Sequence, residues 1–304
     1  MPNRTDAARV AWLNERLALG FIHTSRTWID EDLISALLVA GVLSANVEPA
    51  GVATAHIAEG GALPDELRRP INAMSVAQSL GIANETARGK LARLVDSGTL
   101  QRAGEGFILS AATVASPPLG QAMRAFVGAI AAFAAGLSDV RACGMDGAGL
   151  APPTPALGGL AVRLCTAHVL RWIDHARSLH PSIGLPGLYV LLALGHIVGT
   201  SLRLPPADPG AAEGLSPAPG LDPVTIADLA RFTGMPHETL RRQVLKLQTA
   251  GLVVREGHGC DLALTNPVVV GRWTEMRDQS MIRADQLVGK LRLAGVIIDK
   301  PEQG

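Results

Sequence analysis

Eight cations gathered in two short segments set the chemistry available to this sequence. Arg88, Lys90, Arg93 and Arg102 stand against Glu85 and Asp96 between positions 84 and 102, a net charge of +2. Arg241, Arg242, Lys246 and Arg255 stand against Glu238 between positions 236 and 255, a net charge of +3. The whole chain is neutral, with 27 Lys plus Arg against 27 Asp plus Glu, so everything outside the two segments carries −5. Arginine supplies 23 of the cations. Its rigid planar fork donates two parallel hydrogen bonds, which suits phosphate oxygens and the edge of a guanine. Glu85 and Glu238 can accept from a cytosine amino group or simply favour the start of a helix. Asn84, Thr86, His237, Thr239 and His258 lie among or beside these charges and complete the candidate contact set. A neutral chain is neither a wholesale polycation nor an acidic disordered one, so binding to a polyanion has to come from such local patches.

Cys165, His168, His175 and His180 form a second group with donor chemistry. Spacings of i, i+3 and i+10 bring the first three toward one helix face, as a soft metal site would need. At an offset of 160 the matching upstream positions are Thr5, Ala8, Glu15 and Gly20, so a shared fold does not require these donors. They read as ordinary helix positions, and neither a metal nor a cofactor is expected. The three cysteines, Cys143, Cys165 and Cys260, fit neither a disulfide framework nor a CxxC spacing. There is no Gly-x-Ser-x-Gly, no phosphate-cradling loop ending in Lys-Ser/Thr, no HExxH and no paired-carboxylate signature. No catalytic residue is therefore assigned and no enzymatic activity is expected. Met1 to Asp6 carry no apolar signal core, and a reduced, cytoplasmic setting is the expectation.

The elements that must position the arginines are repeated. At a constant offset of 153, Gly-Ile-Ala-Asn-Glu-Thr-Ala-Arg (81–88) aligns with Gly-Met-Pro-His-Glu-Thr-Leu-Arg (234–241). The same offset pairs Leu91 with Val244, Leu94 with Leu247, Gly98 with Gly251, Arg102 with Arg255, Gly104 with Gly257 and Gly106 with Gly259. This many gapless matches mark an internal repeat. Upstream the likeness continues with small shifts: Gly41 matches Gly195 at 154 and Trp12 matches Trp172 at 160.

In the second copy Thr225 caps a helix, with Asp228 as its capping-box partner, and Gly234 turns the chain. Leu240, Val244 and Leu247 then recur at i, i+4 and i+7 as one apolar stripe, with Glu238, Arg241 and Arg242 opposite and Lys246 at the margin. Leu252 to Arg255 reads as a strand, Glu256 to Gly259 as a tight turn and Asp261 to Leu264 as the return strand. In the first copy Asn72 caps, Gly81 turns, and Ala87, Leu91, Leu94 and Val95 form the stripe. Thr99 to Arg102 and Phe107 to Leu109 bracket a Gly104-Glu105-Gly106 tip.

Helix, turn, helix and hairpin is the layout of a winged helix-turn-helix. Gly-Met-Pro-His-Glu-Thr-Leu-Arg-Arg-Gln-Val (234–244) and Gly-Leu-Val-Val-Arg-Glu-Gly-His-Gly (251–259) resemble the winged helices of bacterial transcriptional regulators of the GntR and MarR kinds. The resemblance covers 71–110 and 223–265. It implies that 84–96 and 237–249 are recognition helices for the major groove of double-stranded DNA, with the hairpins as wings. Gly89 stands where the second copy has Arg242, so the two readers differ.

The expected fold is mainly α with short β-hairpin wings: a tandem-repeat winged helix-turn-helix with helical supporting and dimerisation elements. An apolar content of 48% with only 3% aromatics suits close-packed helices. The expected division is a first repeat over 1–143, a Pro/Gly-rich linker over 144–160 and a second repeat over 161–304. Glu48 to Leu63 and Pro205 to Gly220 read as surface loops. The apolar runs Leu33 to Val47, Leu119 to Leu137 and Leu185 to Leu202 are short or interrupted by polar residues or proline, and read as buried helices of a bundle without a membrane partner. The expected function is a sequence-specific DNA-binding transcriptional regulator. Its two readers form an internal pseudo-dimer, whole chains form a homodimer, and any small-molecule effector is unidentified. The alternative is a scaffold whose winged helices dock proteins instead of DNA.

Overall fold

The computed structural model describes residues 4–29, 32–47, 62–201 and 223–299. The expected surface loops at 48–63 and 205–220 lie outside the described residues, apart from Ala62 and Leu63. In chain order the helices and strands are α1 (Arg4–Ile29), α2 (Leu33–Asn46), α3 (Ala73–Leu80), α4 (Asn84–Asp96), β1 (Gln101–Ala103), β2 (Gly106–Ile108), α5 (Ala111–Val114), α6 (Pro117–Asp139), β3 (Ala148–Leu150) and α7 (Pro155–Leu179). They continue with α8 (Gly184–Ser201), β4 (Val224–Thr225), α9 (Ile226–Thr233), α10 (His237–Thr249), β5 (Val253–Glu256), β6 (Gly259–Leu262), α11 (Pro267–Leu293) and β7 (Ile297–Asp299). The chain is mainly helical with small antiparallel sheets.

Two compact units interleave along the chain. The larger comprises 20–174 and 285–304, the smaller 1–19 and 175–284. The stretch 144–160, expected as a linker, lies wholly in the larger unit and is structured. Met145 and Ala148 are fully buried, and β3 pairs antiparallel with β7 in the register Ala148↔Asp299, Gly149↔Ile298, Leu150↔Ile297. Its Pro/Gly composition describes local chain stiffness, whereas the strand exists because a partner some 150 residues away supplies its hydrogen bonds.

In the larger unit α2 is the central support. Asp32 starts it by accepting from the backbone of Ile34 at 2.9 Å and of Ser35 at 3.3 Å. The helix is apolar on all sides, and Ala36, Leu37, Leu38, Val39 and Val42 are buried, as an all-round apolar helix requires. It packs against α3, α4 and β2. Gly41 permits the approach of α3, since a Cβ there would come 2.8 Å from Val76 Cγ2. α3 is capped by Asn72, whose Oδ1 accepts from Ser75 N at 2.8 Å. α4 buries Ala87, Leu91 and Leu94, and β1 pairs with β2 in the register Gln101↔Ile108 to Ala103↔Gly106.

In the smaller unit α8 packs against α9, α10, β4 and β6 in the same manner. Thr225 and Asp228 form the expected capping box at the start of α9. α10 buries Leu240, Val244 and Leu247, and β5 pairs with β6 from Val253↔Leu262 to Glu256↔Gly259. The return strand thus begins at Gly259, two residues before the Asp261 expected from apolar pattern alone.

Residues 153 positions apart take matching conformations. Gly81 and Gly234 end the first helix of each module in the left-handed region, at φ +60° and +64°. Gly104 and Gly257 turn the hairpin tips at +56° and +54°. The backbone bridge Ile71↔Phe107 of one module corresponds to Val224↔Cys260 of the other. Gly106 and Gly259 both press against the chain that enters the module. A Cβ on Gly259 would lie 2.6 Å from Pro223 Cβ and 2.7 Å from its carbonyl oxygen. Gly259→Ala is therefore expected to cost about 2 kcal/mol by overpacking. Gly89→Ala, at an open helical position, is expected to stabilise by up to about 1 kcal/mol. Thermal denaturation of the two variants checks both signs.

One helix by itself among the described residues, α6, is long and apolar enough to cross a membrane. Within it Leu119, Phe126, Ile130, Phe133 and Leu137 are buried in the fold.

Candidate nucleic-acid interface

Because the apolar stripes of α4 and α10 face inward, the opposite faces present the sequence-assigned residues. On α4 these are Asn84, Glu85, Thr86, Arg88 and Arg93, all exposed. On α10, His237, Glu238, Arg241, Arg242 and Lys246 are exposed and Thr239 is half-buried. Arg102, Arg255 and His258 are exposed on the hairpins. Arg88 Nη1 lies 3.8 Å from Glu85 Oε1, and Arg242 Nε donates to Glu238 Oε1 at 3.1 Å. Such exposed pairs one helical turn apart contribute only a few tenths of a kcal/mol, so the guanidinium groups exchange them for a stronger anion at little cost. The Arg102 guanidinium lies 5.2 Å from the centre of the Phe107 ring, which steadies it on the hairpin. Both α4 and α10 begin without a side-chain cap, at Ala83 and Pro236, leaving first-turn N–H groups without the side-chain acceptor that caps α2, α3 and α9.

Between α10 and its hairpin runs a cleft of about 490 Å³, lined among others by Glu238, Arg241, Arg242, Leu245, Arg255 and His258. The spacing along α10 and the register of β5 and β6 bring these distant residues together. The cleft is cationic, because among the described residues only Arg242 of its three arginines has a carboxylate partner on its walls, Glu238.

Lys90 is placed differently from its sequence assignment. Its Nζ pairs with Asp32, and only 14% of its side chain is exposed. Burial pushes the Asp32 carboxyl up, but the Lys90 hydrogen bond and charge, with the Ser35 and Ile34 amides, hold it below the usual range. Lys90 thus fastens α4 to the start of α2. Helical periodicity put it near the outer face and could not reveal a partner 58 residues away.

Asn46, at the end of α2, was not visible to sequence reasoning as a functional position. It is fully buried, donates from Nδ2 to Arg69 O at 2.8 Å and to Phe107 O at 3.3 Å, and accepts from Leu109 N at 2.8 Å. One amide therefore holds the first hairpin to the support helix. Asn46→Ala strips Arg69 O and Leu109 N of these partners, whereas Phe107 O keeps the Ile71 amide. The expected cost is about 2–3 kcal/mol, with faster hydrogen exchange in β1 and β2 as the local sign.

Among the described residues no group of three or more His, Cys, Asp or Glu side chains is placed to hold a metal. Cys165 is fully buried and burial pushes its thiol up; the His168 ring packs 6.4 Å from Phe133. Burial, with Arg272 adding, pulls His180 down to about 4. Cys260 donates to Val224 O at 3.3 Å, and burial with Asp261 pushes it up to about 11 against the opposing charge of Arg255.

The chain is mainly helical with small antiparallel sheets, and arginines stand on the exposed faces of α4 and α10. No protein-family model matches this chain, and neither a curated protein nor a solved structure does.

Proposed function

We propose that the chain is a sequence-specific DNA-binding transcriptional regulator whose two modules are winged helices. Their second helices, α4 and α10, enter the major groove and their hairpins flank it. The observation that carries this reading is the arrangement in the smaller unit. Arg241, Arg242 and Arg255 line one open cleft between helix and hairpin, backed by an apolar stripe that keeps them outward. Open first-turn amides at both helix starts add phosphate donors of the kind that fix a protein's register on a duplex. The two readers act as an internal pseudo-dimer, and whole chains pair further as a homodimer.

Because Gly89 replaces the arginine of the second copy, the preferred site is asymmetric, with the stronger half read by α10. Binding-site selection on random duplexes tests this. An asymmetric consensus is expected; a perfect palindrome read equally by both halves contradicts it. Salt titration of the selected duplex must give affinity falling steeply with ionic strength, because displaced counterions accompany each phosphate contact.

One observation favours a second reading. Leu245 on α10 is 63% exposed within the same cleft, and Val254 on β5 is 40% exposed. Apolar groups beside arginines also suit a protein-docking surface. A salt-insensitive complex with a protein and no affinity for any duplex would select that reading.

A further inference from the structure

The helix α6 is apolar enough to cross a membrane, yet only 28% of its most apolar stretch is buried in the fold. Phe126, Ile130, Phe133 and Leu137 take one side of it inward. At 3.6 residues per turn, Arg124, Gly128, Ala131, Ala132, Ala135 and Asp139 share the opposite side, within an arc of about 100°. Arg124, Gly128, Ala135 and Asp139 are exposed, and the two central alanines are half-buried. A Cβ added to Gly128 would meet nothing within 4 Å, so the fold leaves this side open.

The open side carries one charge near each end and none between them. Neither Arg124 nor Asp139 forms an ion pair among the described residues. Asp139 stands in the last turn, at the negative end of the helix, where a cation from outside is favoured. This face therefore complements a reversed copy of itself, whereas a parallel copy would set arginine against arginine. An antiparallel copy with Arg124 against the partner's Asp139 also sets Gly128 against the partner's Ala135, and Ala131 against the partner's Ala132. Along the middle of that contact no side chain exceeds a methyl group, so the helix axes can close to about 8 Å. A membrane is the poorer occupant, because it strips water from Arg124 and Asp139 and supplies neither with a counter-charge.

We propose that α6 is the surface through which two copies of this chain pair, antiparallel about a two-fold axis between Ala131 and Ala132. This deepens the regulator reading and rests on its homodimer, for which it names the contact. Every contact then occurs twice, as in a closed isologous dimer. A single helix pair lies at the small end of interfaces, below about 1,200 Å² in total, so dimer and monomer exchange at micromolar concentration.

Sedimentation velocity of the full chain over a micromolar concentration series, without DNA, tests the surface. A monomer–dimer equilibrium is expected. Gly128→Gln puts a long polar side chain into the contact, at an open helical position where glycine is the weaker helix former. The variant is expected to melt no lower than the parent chain and to lose the dimer. Arg124→Asp is expected to weaken pairing about tenfold, and Arg124→Asp combined with Asp139→Arg to restore it. A monomer at every concentration, a dimer indifferent to Gly128→Gln, or a double exchange no better than the single one overturns the proposal. Binding to phosphatidylcholine vesicles in place of self-association overturns it as well. A dimer that ignores every duplex sinks the regulator reading alone, and a chain that binds its duplex as a monomer sinks the pairing surface alone.

Discussion

Replacing Arg241 and Arg242 together with alanine is expected to weaken DNA binding by at least thirtyfold. Each arginine that reaches a base edge or a phosphate contributes about 1–3 kcal/mol, so the pair accounts for roughly 2–6 kcal/mol. At about 1.4 kcal/mol per tenfold, the lower end of that sum is about a thirtyfold loss. The change also frees Glu238 from Arg242, leaving an uncompensated carboxylate in the cleft facing the phosphates. The slope of log affinity against log salt is expected to become shallower by about 1.8, from about 0.9 per lost phosphate contact. The fold is expected to survive, because both side chains are exposed and such surface changes usually stay within about 0.5 kcal/mol. Fluorescence anisotropy of a labelled duplex at several salt concentrations, beside a melting curve, reads all three quantities. A folded double variant with unchanged affinity and slope would remove α10 from the DNA interface. Removing Arg88 and Arg93 from α4 is expected to have the smaller effect, since Gly89 supplies nothing where α10 has Arg242.

Glu15→Gln is expected to stabilise the protein by about 4 kcal/mol at pH 8 and to change little at pH 4. Glu15 lies on α1 within the smaller unit and is only 6% exposed. Its Oε1 has no partner among the described residues, and it sits where a Cβ on Gly195 would be 2.9 Å away, beside Trp273. Burial raises its carboxyl from 4.5 to about 8. The unfolded chain therefore releases this proton near pH 4.5 and the native chain holds it to about pH 8. Between those values the native state binds the extra proton, so stability falls as pH rises, by at most about 1.4 kcal/mol per unit. Below the window both states are protonated and the contribution is fully present; above it the loss is complete. Glutamine keeps the shape and has no proton to lose, so its stability should lack this descent. Urea denaturation of both proteins at pH 4, 6 and 8 measures it. Parallel stability profiles for the two would mean that water reaches the carboxylate.

The module boundaries were legible because local rules write them. Asn72 and Thr225 cap where short polar side chains can satisfy first-turn amides, and Gly81 and Gly234 turn where only glycine enters the left-handed region at low cost. The stripes Leu91–Leu94 and Leu240–Val244–Leu247 then settle which side of each second helix faces outward, and with it the exposure of Arg88, Arg241 and Arg242. Each of these depends on neighbours within one or two turns, and a gapless repeat writes them twice.

Charges that end inside the protein were not legible. Glu15, Arg68 and Lys90 look from sequence like any solvated residue on a helix or loop. Their environments depend on which remote surfaces meet them: Gly195 and Trp273 over Glu15, Leu63 and Asp65 around Arg68, Asp32 beside Lys90. The strand β3 inside a Pro/Gly-rich stretch has the same origin, in β7. Helical period and turn chemistry act over a few residues, so the order of residues alone prescribes two outward arginine faces. Which ionisable groups lose their water is settled by packing, because desolvation depends on every element around a group and not on the element that carries it.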